Sequence, residues 1–356
     1  MSDSASDTPI RVVQWGSGNV GRHALRAVLD RPELALVGLY VTSAAKAGLD
    51  AGTLIEREPV GVIATVSLDE ICAMDADVVL HMPLPAMQVA DDPALDTKNL
   101  CRLLASGKDV ITTTGYLYPK AYGPAVFGRL EDACAAGGSS LHGTGVNPGF
   151  MADLMPLVLS GLCERVDKVY VLEASEFSRY PSPEVILGMM GFGLAPDVFE
   201  THTGRYRAWL SSLFRESLLM ISDGLRLTVD DVDAQQETVL AEHDLVLAAG
   251  PVAKGTVAGQ RWVWTGRHEG RAVVELEAIY RAHPGVAPHW ATTSWLTRLE
   301  GLPNITVELN RWLGNGLLGT AMHAVNAIGP VHASAPGVRS FLDLPLVVGR
   351  GPITPR

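Results

Sequence analysis

Two short strings in this sequence have the composition to hold and use a small charged ligand. Gly16-Ser17-Gly18-Asn19-Val20-Gly21 follows the apolar run Ile10 to Trp15 and opens onto an amphipathic HALRAVLD. Glycines at this spacing let the chain turn tightly, let a pyrophosphate approach the backbone, and let helix and strand pack closely; N–H groups at the helix start receive the anion. The second string, VITTTGYLYP from Val110, is a β-branched run ending in Thr113-Thr114-Gly115, with Tyr116 and Tyr118 just beyond. A phenol there can donate a hydrogen bond to a carbonyl oxygen that gathers charge, or can pack under the loop with its hydroxyl on backbone.

Both strings need a scaffold, and the first half of the chain predicts one. Leu34 to Val41, Ala76 to Met82 and Asp109 to Thr114 are further apolar strand candidates, and the helical stretches SLDEICAM and DTKNLCRLLASG precede the last two. Strands alternating with helices predict a doubly wound parallel sheet, a Rossmann domain over residues 10–150, with a dinucleotide at the glycine turn. The end of the second strand bears on which dinucleotide binds. An NAD site usually carries an acid there for the ribose 2′-hydroxyl, but no carboxylate occurs before Asp50. Thr42, Ser43 and Lys46, with Arg22 after the last glycine, suit a 2′-phosphate instead. NADP is therefore expected, with NAD as the alternative.

After Pro148-Gly149 the periodicity changes, predicting an α+β domain over residues 151–316 built on a mainly antiparallel sheet. Strands are expected at Val166 to Phe177, Thr238 to Ala248, Gly259 to Gly266 and Ala272 to Arg281, with the acidic DDVDAQQE a loop before the last three. The Met, Phe and Trp residues between positions 183 and 225 line either a core or dimer interface or an apolar substrate pocket, and helical spacing favours the former. His142 either relays protons near neutral pH or caps a strand. Glu173 and Glu176 flank Ser175 and are expected to point opposite to it, as candidate acids or as surface carboxylates. A helix at Gly319 to Ile328, stopped by Gly329-Pro330, and an apolar tail complete a segment over residues 317–356.

Composition narrows the partners. With 47% hydrophobic and 19% charged residues the chain is expected to be globular, and a net charge of -11 without a Lys/Arg block argues against nucleic acid. Cys72, Cys101, Cys134 and Cys163 lie far apart, which predicts buried thiols and no metal site. Residues 1–9 read as a disordered polar leader, and no apolar run reaches the ~20 residues of a membrane span, so a cytoplasmic location is expected.

From Arg11 to about Phe150 the chain resembles the dihydrodipicolinate reductase N-terminal domain family, with Thr112-Thr113-Thr114-Gly115 similar to that family's nicotinamide-side turn. Gly143-Thr144-Gly145-Val146-Asn147-Pro148-Gly149-Phe150, Gly255 to Gly259 and Thr320 to Ile328 more closely resemble the group holding native amine dehydrogenases and diaminopentanoate dehydrogenase. The resemblance implies that Thr113, Thr114, Gly115, Asn147 and Pro148 contact cofactor or substrate. It also implies that residues 317–356 return to the Rossmann domain and that a homodimer forms through the second domain's sheet. Amine dehydrogenases of this group carry a glutamate just after the T-T turn, where this chain has Gly115-Tyr116. The expectation is an NAD(P)H-dependent oxidoreductase that transfers hydride to a small or moderately apolar carbonyl or imine, with a donor from the Tyr116 loop. Amine dehydrogenation through another carboxylate and a non-catalytic NADPH sensor are the alternatives.

Overall fold

The computed structural model describes residues 8–292, 294–309 and 315–351. The expected leader lies outside them except for Thr8 and Pro9, as do residues 352–356 of the expected C-terminal segment. The chain divides into two compact units, Met1–Val146 with Asn315–Arg356, and Asn147–Gly314.

The first unit carries strands β1 (Ile10–Trp15), β2 (Leu34–Tyr40), β3 (Ala64–Thr65), β4 (Val78–His81), β5 (Asp109–Thr112) and β6 (Ser140–Gly143). Its helices are α1 (Asn19–Leu29), α2 (Ala51–Leu54), α3 (Leu68–Ala73), α4 (Ala86–Val89), α5 (Leu95–Ala105) and α6 (Pro124–Gly137). A short last strand, β15 (Gly337–Val338), closes a seven-stranded sheet of order β15-β6-β5-β4-β1-β2-β3, parallel throughout. Because successive side chains point to opposite faces, a strand covered on both sides reads as an unbroken apolar run. Val12, Val78 and Ile111 pack with α1 and the C-terminal helix, whereas Val13, Val79 and Val110 pack against Leu100, Leu103 and Leu130.

That C-terminal helix, α10 (Gly316–His332), runs through Gly329 and Pro330 and does not stop at them. Proline there forfeits one backbone bond inside the last turn, while the Gly329 carbonyl still accepts from Ala333 N at 3.0 Å. Beyond it the tail is only half apolar-in: Phe341 and Val347 are buried, and Leu346 and Val348 are exposed.

The second unit begins with a π-helical turn at Phe150–Leu154, then α7 (Met155–Ser160), β7 (Arg165–Glu176), α8 (Pro196–His202) and α9 (Gly204–Leu225). Strands β8 (Asp231–Leu240), β9 (Leu245–Leu247), β10 (Gly250–Val252), β11 (Val257–His268), β12 (Arg271–Arg281), β13 (Trp295–Leu302) and β14 (Ile305–Leu309) follow. Six of these strands form a sheet of order β14-β13-β7-β12-β11-β8, antiparallel except for the β7–β12 pair. The acidic stretch expected as a loop is most of β8. This is an edge strand, where charged side chains stay in water and guard the unpaired backbone. The aromatic stretch is core: Phe214 of α9 stacks on Trp264 at 4.0 Å and 7°, and Met190, Phe192 and Phe199 join the same cluster.

Candidate active site

At the carboxyl end of β1, where the strand order reverses between β4 and β2, the three glycines of the turn do different things. Gly16 has φ +97°, and a Cβ on it would sit 2.7 Å from the Met82 carbonyl oxygen. A Cβ on Gly21 would lie 2.1 Å from the Gly16 oxygen, so helix and turn touch through that position. Gly18, by contrast, faces open space with nothing within 4 Å, and the α1 N-terminus that it precedes has no side-chain cap. Asn19 and Val20 open the first turn of α1. The residues present thus fit a dinucleotide pyrophosphate, which Gly18 leaves room for and uncapped N–H groups await.

Beside this turn the Lys46 ammonium donates to the Ser17 hydroxyl at 3.3 Å, and Thr42 and Ser43 are exposed. Asp50, the first acid after β2, is already engaged: its Oδ1 accepts from Gly52 N and Val60 N, at 2.7 and 3.0 Å, and its Oδ2 from Gly61 N at 2.8 Å. Those backbone donors hold its carboxyl below the usual range. Arg22 is paired with Glu56 at 2.7 Å. Trp15 stacks on Tyr40 at 3.7 Å.

A hydroxyl chain runs along the ends of the next strands. His81 Nδ1 lies 2.9 Å from Thr112 Oγ1, which lies 2.9 Å from Thr114 Oγ1, and all three side chains are buried. Burial pushes the His81 imidazole down to about 3, so it stays neutral. The backbone N–H of Thr113 bonds the His81 carbonyl at 3.1 Å, and Gly115 and Tyr116 follow with φ +120° and +61°. Tyr116 and Tyr118 are both buried; the Tyr116 hydroxyl is 2.7 Å from Thr97 Oγ1, and the Lys120 ammonium lies 5.4 Å from the Tyr118 ring. Gly143 presses on this turn so closely that a Cβ would lie 2.2 Å from the Tyr116 carbonyl. His142 donates from Nδ1 to the Arg339 carbonyl at 2.8 Å, and burial pushes it down to about 4. The imidazole is therefore neutral and tied to the segment that carries Arg339.

The second unit holds a separate polar cluster on the face of its sheet that packs against α9. Glu173 of β7 is 9% exposed; its Oε2 accepts from Asn147 Nδ2 at 2.6 Å and from the Tyr280 hydroxyl at 3.3 Å, and its Oε1 accepts from Ser175 Oγ at 2.7 Å. Ser175 thus shares the face of Glu173, and Glu176 alone points the other way, which corrects the expected orientation; residues two apart on a strand point alike. Burial pushes the Glu173 carboxyl up, and its three donors pull it partly back. Glu176 accepts from Ser178 N within its own turn. Asn147 opens this unit, with Pro148 next to it, and its Oδ1 is buried without a hydrogen-bond partner. Asp153, fully buried, accepts from Gly149 N at 2.6 Å.

Sequence reasoning missed His81, Tyr280 and Asp153. A polar residue closing the apolar run VVLH was a readable signal for the first. The other two depend on neighbours distant in sequence.

Residues 150–350 match the 2,4-diaminopentanoate dehydrogenase C-terminal domain family. The chain belongs to that family. An amine dehydrogenase from Streptomyces virginiae is 29% identical over 366 residues, covering 96% of this chain and 98% of that protein. The 2,4-diaminopentanoate dehydrogenase of Acetoanaerobium sticklandii is 26% identical over 64% of each chain. Among solved structures, an amine dehydrogenase from Mycobacterium smegmatis superposes with a TM-score of 0.80 at 22% identity, over 96% of this chain and 97% of that one. A Synechocystis biliverdin reductase shares the fold with a TM-score of 0.51 at 14% identity, over 90% of each chain.

Proposed function

We propose that this protein is an oxidoreductase that moves a hydride between NADP and a carbon bearing nitrogen or oxygen: an amine, an imine or a carbonyl. The dehydrogenase relatives support the reaction class, and the glycine turn supports the dinucleotide. One observation carries the choice of NADP. The end of β2 offers the Lys46 ammonium beside Ser17, while Asp50 spends its carboxylate on backbone donors. A bound nicotinamide supplies the hydride. The protein's share is to bind the pyrophosphate at Gly18, hold the 2′-phosphate at Lys46, and align the rest through the Thr112–Thr114 chain.

The Tyr116 phenol is held against Thr97 inside the packing of the first unit, which weighs against its acting as a donor to substrate. A carboxylate elsewhere therefore becomes the better candidate for handling substrate nitrogen.

Titrating the full chain with NADPH and NADH, for wild type and Lys46→Ala, tests the cofactor reading. A charge-assisted contact is worth ~1.5–3 kcal/mol, so NADPH affinity is expected to drop about ten- to hundredfold while NADH affinity holds. Equal losses for both cofactors would refute the assignment of Lys46 to the 2′-phosphate.

A further inference from the structure

At the amino-terminal edge of the parallel sheet, away from the glycine turn, the first unit holds a cavity of about 270 Å³. Ile10 and Leu34, the first residues of β1 and β2, form one wall, and Val325 and Ile328 of α10 form another, with Leu346 and Val348 of the tail beside them. The six residues of β1, at ~3.3 Å each, set this cavity roughly 20 Å from Gly16.

Its polar lining is rich in donors. Arg31 Nη2 donates to Asn326 Oδ1 at 2.7 Å, and neither the rest of that guanidinium nor Asn326 Nδ2 has a hydrogen-bond partner among the described residues. Arg350 Nη1 pairs with Glu33 Oε1 at 2.6 Å, and Glu33 Oε2 is enclosed, so the acid of the lining is already engaged. Two guanidinium groups against one carboxylate leave a net positive charge. Burial first, and then the charge of Arg350, pull the Arg31 guanidinium below its usual range, with Glu33 opposing. The planar fork that Arg31 keeps unfilled matches a carboxylate, two N–H groups to two oxygens.

The apolar lining selects among anions. Leu346 and Val348 are 58% and 63% exposed, a surface that a bare phosphate would leave wet and an aliphatic chain would cover. At this volume, below the ~300–1,000 Å³ of drug-sized pockets, that chain is short. We propose that this cavity is a binding site for a small aliphatic carboxylate, with Arg31 holding the head group, Asn326 Nδ2 adding a donor, and Ile10, Leu34, Ile328 and Val348 covering the chain. Its distance from the glycine turn makes the occupant something other than the substrate. Bound there, it bridges the starts of β1 and β2 to α10 and the tail, so binding stabilises the first unit.

Calorimetric titration of the full chain tests this with hexanoate, hexanol and inorganic phosphate, each with and without saturating NADPH. Hexanoate is expected to bind at least about tenfold more tightly than either of the others, the worth of one charge-assisted hydrogen bond, and to raise the melting temperature. Saturating NADPH should leave its affinity within about twofold. Arg31→Met, which keeps an apolar stem, should bring hexanoate down to the affinity of hexanol while NADPH affinity stays unchanged. Should that variant fail to fold, Val348→Asp sets an acid at an exposed position of the lining and should weaken hexanoate about tenfold or more without touching NADPH. Hexanoate no tighter than hexanol, a preference that survives the loss of Arg31, or phosphate as tight as hexanoate would overturn the proposal. So would competition between hexanoate and NADPH, which would place the anion at the glycine turn.

Discussion

Replacing Asp153 with asparagine should make the protein's stability fall less steeply as pH rises. In the folded chain this carboxyl is pushed up to about 7 from its ordinary 3.8, first by burial and against the pull of the Gly149 N–H; the Ser217 hydroxyl lies near enough to favour the ion slightly without completing a hydrogen bond. The sign follows from the proton count. Between pH ~4 and ~7 the folded state holds a proton that the unfolded state has released, so each step up in pH favours unfolding. A shift of about three pK units at 1.36 kcal/mol each gives ~4 kcal/mol of stability present below pH 4 and lost by pH 8. Asparagine keeps an acceptor for Gly149 and does not titrate. The variant should therefore gain ~3–4 kcal/mol over wild type between pH 4 and pH 8. Urea unfolding at four pH values, followed by fluorescence, measures it, since six of the seven tryptophans fall within residues 147–314. Curves for the two proteins that stay parallel from pH 4 to pH 8 would refute the reasoning.

The glycine turn makes a sharper contrast. Gly18→Ala enters open space, so the variant should fold with an unchanged melting temperature yet bind NADPH at least tenfold more weakly; Gly21→Ala drives a methyl into the Gly16 carbonyl and should lower stability by ~2 kcal/mol or more. Thermal melts beside cofactor titrations separate the two. For Tyr116→Phe, loss of the Thr97 hydrogen bond should cost ~1 kcal/mol and leave turnover within about twofold of wild type; a collapse of turnover would restore the phenol as proton donor.

Legibility in the sequence tracked how local the determinant was. Strand β1 spans the six residues its apolar run predicts, because a doubly covered strand writes its burial into consecutive positions. The glycine turn was equally plain, since Gly16 and Gly21 answer to backbone close by and Gly18 to the space a ligand needs. Glu173 could not be singled out from Glu176 until the pairing of β7 with β12 brought Tyr280 to one and not to the other. The orientation of Ser175 was within reach of strand periodicity alone and was misjudged. Strand β8 was hidden because an edge strand tolerates the composition of a loop. His81 was visible as a residue, but its chain of hydroxyls exists only once β4 and β5 lie side by side.

The return of α10 and β15 to the first unit has a consequence for biosynthesis. Six of the buried side chains that complete the core around Val12 and Ile111 lie on α10, near the end of the chain, and β15 supplies the last strand of the sheet. During translation the first 146 residues emerge without them. The inserted unit, continuous from Asn147 to Gly314, has all its own strands as soon as β14 leaves the ribosome. On the ribosome, then, the order of folding should run against the order of synthesis, with the nucleotide-binding half waiting as an unfinished sheet that exposes apolar surface until the final helix arrives.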